Sequence, residues 1–167
     1  VIQSQIGEGF AGSGPNAAHL NTVLGSKGGP VETAWATALA TPRAGHIPFM
    51  VVLRPNLPVK PMTLFVNKAD LQGETHSRLT WGAAQAGVAS GVAQAVAEGI
   101  IPADQADTLL LIAAVWVDWK ADDETLVFHN NRQATYAALR NGKNGLPTIE
   151  EILQAKDIAA NPFFKQA

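Results

Sequence analysis

Residues 108–119, TLLLIAAVWVDW, form the most apolar run in the chain and constrain its fold more than any other segment. The run is shorter than the ~18 apolar residues that a membrane span requires, and its β-branched and aromatic residues gather toward one end. That combination predicts a buried strand, which places it at the centre of a sheet. A central strand needs neighbours, and the sequence offers several. VIQSQI (1–6) predicts a short strand, and GEGFAGSGPN (7–16) a turn-rich connection. AAHLNTVLG (17–25) follows as a second strand, with His19, Asn21 and Val23 on one face and Leu20, Thr22 and Leu24 on the other. HIPFMVVLRP supplies a buried strand at 49–53, and Pro55, Pro58 and Pro61 then hold RPNLPVKP in a stiff, extended path. MTLFVNKAD (62–70) is a further strand that turns Leu64, Val66 and Lys68 to one side.

Between these strands lie segments of helical period. PVETAWATALATP (30–42) begins with proline, places Glu32 in the first turn, and spaces Val31, Trp35, Ala38 and Leu39 along one stripe. Residues 77–98 predict a long helix with a stripe of Trp81, Val88, Val92 and Val96. Gly82, Gly87 and Gly91 weaken that helix by about 1 kcal/mol each relative to alanine, so close packing on a sheet or another subunit is the expected compensation. IIPADQAD holds a short helical turn, DDETLVFHNNRQATYAALRNGKNG (122–145) a helix with an acidic start, and Thr148 with Glu151 a capping box. The order strand, strand, helix, strand, strand, long helix, strand, helix lacks the regular alternation of a doubly wound sheet. It predicts a two-layer α+β sandwich, built by residues 1–167 as a single domain with a variable tail from about 145.

Composition removes several functions. With 12 Lys+Arg against 14 Asp+Glu, scattered singly, no basic stripe exists to follow a nucleic-acid backbone. No cysteine is present, which excludes disulfides, thiolate metal sites and cysteine nucleophiles. No signal peptide or membrane segment is apparent, so a soluble, cytoplasmic protein is expected; the start at Val1 leaves room for a processed N-terminus. Four histidines (His19, His46, His76 and His129) show no metal-ligand spacing, and no metal is expected. The glycines of GEGFAGSG match neither a phosphate loop nor a dinucleotide fingerprint. Asp122, Asp123 and Glu124 read as a helix cap in preference to a paired-carboxylate site. Lys68, at a strand end, is either a surface lysine, a cationic ligand or an imine-forming amine. Gln85 either matches the paired donor and acceptor groups of a heterocycle or faces water.

PNAAHL, GSKG running into GPVETAWATAL, PNLPVKPMTLFVNK and above all AQAGVASGVAQAVAEGIIPADQAD resemble the formaldehyde-activating enzymes, from about Gly7 to Trp119 and again at the terminal NPFF. The resemblance implies a fold similar to domain 2 of ribosomal protein S5 and a ring-like homopentamer with pterin sites between subunits. It implies a hydro-lyase of one-carbon metabolism and formaldehyde detoxification, which condenses formaldehyde with tetrahydromethanopterin to 5,10-methylene-tetrahydromethanopterin and water. His19 matches the family's proton donor, and Lys68 and Gln85 match pterin-site residues of the same type. Met50 falls where the family has leucine, Asn21 where it has aspartate, Asp70 where it has threonine and Ala86 where it has histidine. Of the site, then, His19 is the catalytic candidate, and Asn21, Met50, Lys68, Asp70 and Gln85 the substrate-binding ones.

The chemistry explains why a histidine belongs there. Addition of an amine to formaldehyde gives a carbinolamine whose hydroxyl must leave as water, and a general acid titrating near neutrality assists that departure by about a hundred- to ten-thousand-fold. Asn21 deprives His19 of a charged face mate, while Asp70 either restores a negative charge or pairs with Lys68. Three functions are compatible with these changes: the family reaction in a modified pocket, action on another pterin or aldehyde acceptor, and pterin binding without catalysis.

Overall fold

The computed structural model describes residue 2 and residues 4–165. Seven strands are present among them: β1 (Gln5–Ala11), β2 (Ala18–Ser26), β3 (Phe49–Met50), β4 (Val52–Arg54), β5 (Leu57–Pro58), β6 (Met62–Asn67) and β7 (Leu109–Trp116). The helices are α1 (Pro30–Ala40), α2 (Gly73–Arg78), α3 (Gln85–Ala97), α4 (Glu124–Asn144) and α5 (Ile149–Ala155), with a π-helical segment, Leu79–Ala84, joining α2 to α3. The main sheet runs β1-β2-β7-β6-β3, and β4 and β5 form a separate hairpin. Antiparallel pairing holds β1 to β2, β2 to β7 and β3 to β6; β6 and β7 are parallel. The apolar run at 109–116 is thus the third of five strands, at the centre where its hydrophobicity predicts it.

One face of the sheet carries the core. Leu20 and Leu24 of β2, Leu111, Ala113 and Val115 of β7 and Phe65 of β6 point toward α3 and α4, which contribute Val88, Val92, Ala134 and Ala138. This is the expected α+β sandwich of sheet and helices. On the other face, α1 covers only the end near Gly25, against which Val31 packs, and leaves the His19–Trp116 end open.

The structure corrects the first strand. Positions 1 and 3 of the expected strand lie outside the described residues, and the strand found, β1, includes Gly7–Ala11, expected to be a turn. Gly7 and Gly9 are close-approach residues: a Cβ on either would sit 1.9 Å from the carbonyl oxygen of Ala138 or Ala134. Helix α4 lies directly on the strand because those side chains are missing.

Other boundaries move for local reasons. The strand expected at 49–53 divides, with Phe49–Met50 in the main sheet and Val52–Arg54 in the hairpin. The expected extended path after it folds back at Asn56, whose φ of 64° is a left-handed value asparagine tolerates. The long helix begins at Gly73, before the expected Ser77. Its π-helical segment breaks the 3.6-residue period, so Trp81 turns outward at 46% exposure while Val88 and Val92 are fully buried. Gly87 and Gly91 do allow close packing, against α4 carbonyls of Phe128 and Arg132, whereas Gly82 faces open space. In α1 only Val31 of the expected stripe is buried; Trp35 and Ala38 are half-buried and Leu39 is exposed.

Candidate functional site

Strand pairing assembles a cluster of polar side chains on the open face. The β1–β2 register sets Phe10 opposite His19 and Glu8 opposite Asn21; the β2–β7 register sets His19 opposite Trp116. Beyond β6, the Lys68 backbone N–H donates to the carbonyl of Val115 at 2.8 Å, which extends the parallel pairing and brings Lys68 beside Trp116. A cleft of about 670 Å³ results, with Glu8, His19 and Lys68 as its ionisable groups and Phe10, Trp116 and Phe163 as aromatic walls. Phe163 comes from the chain's tail, where its ring stands edge-on to Trp116 at 6.1 Å.

Each polar group has a partner. His19 Nε2 lies 3.1 Å from Glu8 Oε1, with both side chains about half exposed. Lys68 Nζ donates to Asn21 Oδ1. Burial lowers the Lys68 pKa below its ordinary value, and the Glu8 carboxylate offsets part of that shift. The cleft therefore sets an imidazole and a lysine amine against apolar, aromatic walls. Among the described residues no group of three or more metal-ligating acids or histidines converges, and no helix is long and apolar enough to cross a membrane.

Of the six site candidates from sequence, the structure brings His19, Asn21 and Lys68 together. Met50 lies on the same side of the sheet but on edge strand β3, three strands from β2, or about 14 Å at ordinary strand spacing. Asp70 is exposed, makes no ion pair with Lys68 among the described residues, and accepts a hydrogen bond at its backbone oxygen from Trp119 Nε1 at 3.0 Å. Gln85 is buried at the start of α3 in the helical layer, where its Oε1 accepts from the Val52 N–H at 2.5 Å. Asp123 caps α4 by accepting from the Leu126 N–H, as its position predicts.

A family model described as formaldehyde-activating enzyme matches residues 6–164. The chain belongs to the formaldehyde-activating enzyme family. It is 43% identical over 163 residues to the 5,6,7,8-tetrahydromethanopterin hydro-lyase of Methanosarcina barkeri, an alignment that covers 98% of this chain and 92% of the relative. It is 42% identical to the bifunctional enzyme Fae/Hps of Methanococcoides burtonii and 39% identical to that of Methanosphaera stadtmanae, covering 93% and 95% of this chain. It spans 39% of the length of each of these two bifunctional relatives.

Within this formaldehyde-activating enzyme fold, Glu8 and the three aromatic residues Phe10, Trp116 and Phe163 are cleft residues that sequence reasoning missed. Assigning 7–16 to a turn hid Glu8. A signal was present: in GEGFA, glycine alternates with Glu8 and Phe10 at the two-residue period of a strand with one packed face.

Proposed function

We propose that this chain is a hydro-lyase that condenses formaldehyde with tetrahydromethanopterin, giving 5,10-methylene-tetrahydromethanopterin and water, with His19 as proton donor. The observation that carries the reading is His19 and Lys68 facing one aromatic-walled cleft; membership of the formaldehyde-activating enzyme family supports the choice of reaction. The pterin N5 amine adds to the formaldehyde carbon, and its proton passes to solvent as the former carbonyl oxygen takes one up. His19 then protonates the hydroxyl, the C–O bond breaks, water leaves, and the carbon remains bound to N5 as an iminium. Attack by N10 and loss of its proton close the methylene bridge and return the proton to His19. Because the uncatalysed addition already proceeds, acid assistance and orientation are the main contributions required.

Lys68, held by Asn21, supplies a cationic donor to the pterin, and Phe10, Trp116 and Phe163 supply its stacking surface. Met50, Asp70 and Gln85 stand away from this cleft and enter the reading through family resemblance, in which pterin sites lie between subunits. The same resemblance supports a homopentamer, an S5-domain-2-like fold, one domain over 1–167 with a variable tail, a cytoplasmic location and a role in formaldehyde detoxification.

The test mixes purified protein with formaldehyde and tetrahydromethanopterin and follows methylene-pterin formation above the spontaneous rate. Acceleration is expected, with a loss of about a hundredfold or more in His19→Ala while the mass of the assembly by light scattering stays that of the parent. Saturable pterin binding without acceleration refutes the catalytic reading. Turnover with only another amine acceptor refutes the choice of pterin.

A further inference from the structure

We propose that Glu8 is a positioning residue for His19: it holds the Nε2 side of the imidazole, so that Nδ1 is the nitrogen presented to the substrate and the one that carries the transferred proton. The proposal rests on the reading of His19 as the proton donor.

The geometry begins with the sheet. Glu8 and Phe10 project from β1 on the same face as His19, with Phe10 directly opposite and Glu8 two pairs further along, opposite Asn21. A long side chain spans that diagonal, and Glu8 Oε1 reaches to 3.1 Å from His19 Nε2. An ionised carboxylate has only acceptor oxygens, so its pairing with Nε2 favours the ring tautomer that carries the hydrogen there. Nδ1 is then the free acceptor of the neutral ring and the free donor of the imidazolium. The Phe10 ring, 6.2 Å from the imidazole and tilted by 53°, flanks the histidine on the same edge of the sheet.

Charge points the same way. Among the described residues that line the cleft Glu8 is the one carboxylate, facing His19 and also acting on Lys68. When His19 is protonated, the cleft holds two cations against that single anion. Asn21 is neutral, and its oxygen already accepts from Lys68. The anchor for His19 is therefore Glu8 on the neighbouring strand, not its own face mate. In the reaction, the proton on Nδ1 passes to the carbinolamine hydroxyl as water departs, while Nε2–H stays on Glu8; the proton released at ring closure returns to Nδ1.

The experiment uses the full chain with ¹⁵N-labelled histidine, as wild type, Glu8→Gln, Glu8→Ala and Glu8→Leu. Long-range ¹H–¹⁵N spectra of the neutral His19 ring are expected to show the Nε2–H tautomer in wild type and in Glu8→Gln, whose amide oxygen still accepts. The preference should be lost in Glu8→Ala and Glu8→Leu, the second of which retains side-chain bulk on the strand. In the condensation assay kcat is expected to fall roughly tenfold to a hundredfold in the last two variants, with the pterin KM within about twofold and an intermediate kcat in Glu8→Gln. An Nδ1–H tautomer in wild type, an unchanged tautomer in folded Glu8→Ala or Glu8→Leu, or a change in KM alone would overturn the proposal. If wild type gives no acceleration, the proposed function fails, and the tautomer spectra still decide whether Glu8 orients His19.

Discussion

Folding changes the electrostatics of Lys68. Its amine sits against the sheet face, where burial disfavours the charged form, and its hydrogen-bond partner, Asn21, supplies a dipole without a charge. The folded pKa lies below the ordinary lysine value of 10.5, so the protonated amine subtracts stability at neutral pH, and that penalty fades as pH rises from the folded pKa toward 10.5. Asn21→Asp places a carboxylate on the amine and is expected to raise the Lys68 pKa and remove most of this pH-dependent gain. A ¹⁵N titration of the Lys68 side chain measures it directly: Lys68 should titrate below the ordinary lysine value in the parent protein and move upward in the variant. An unmoved titration would show that Asn21 does not set the environment of Lys68. The His19–Asn21 pairing was legible from strand alternation alone, because a period of two fixes which side chains share a face. Asp70 was not: its distance from the cleft depends on the path of the chain after β6, where no periodicity applies.

Among the elements, β1 and α4 are most dependent on one another. Strand β1 needs two missing side chains to accept the helix, and α4 brings its Ala134 and Ala138 backbone onto Gly7 and Gly9. Gly7→Ala is expected to cost about 3 kcal/mol, since the new methyl cannot coexist with a carbonyl oxygen 1.9 Å away unless the helix shifts. Gly82→Ala is the control, because nothing lies within 4 Å of a Cβ there, and the helix gains about 0.5–1 kcal/mol from the lost chain entropy. Urea unfolding of both variants checks the pair; equal effects would refute the close-approach account. The same residues explain why β1 was misread. In sequence, glycine signals a turn, and only the position of α4, more than 120 residues away, turns it into a packing residue. By contrast, β7 and the capped starts of α4 and α5 were legible because apolar runs and Asp/Thr caps act through neighbouring residues.

At the scale of the molecule, the first strand and the segment around Phe163 meet at the cleft. Glu8 and Phe10 come from the first strand and Phe163 from the tail, with His19 of β2, Trp116 of β7 and Lys68 just beyond β6 between them. Among the described residues the tail adds nothing to the core, since α5 buries none of its residues and Phe163 is 81% exposed. Its contribution to folding should therefore be small and its contribution to binding larger. An aromatic contact of the kind Phe163 makes with Trp116, or offers to a flat ligand, is worth about 0.5–1.5 kcal/mol beyond buried area. Phe163→Ala is accordingly expected to raise the pterin KM by roughly threefold to tenfold, with Tm within a degree or two of the parent. Steady-state kinetics and calorimetry on the same preparation separate the two effects. A large fall in Tm with unchanged KM would make the tail a structural strap instead of a wall of the site.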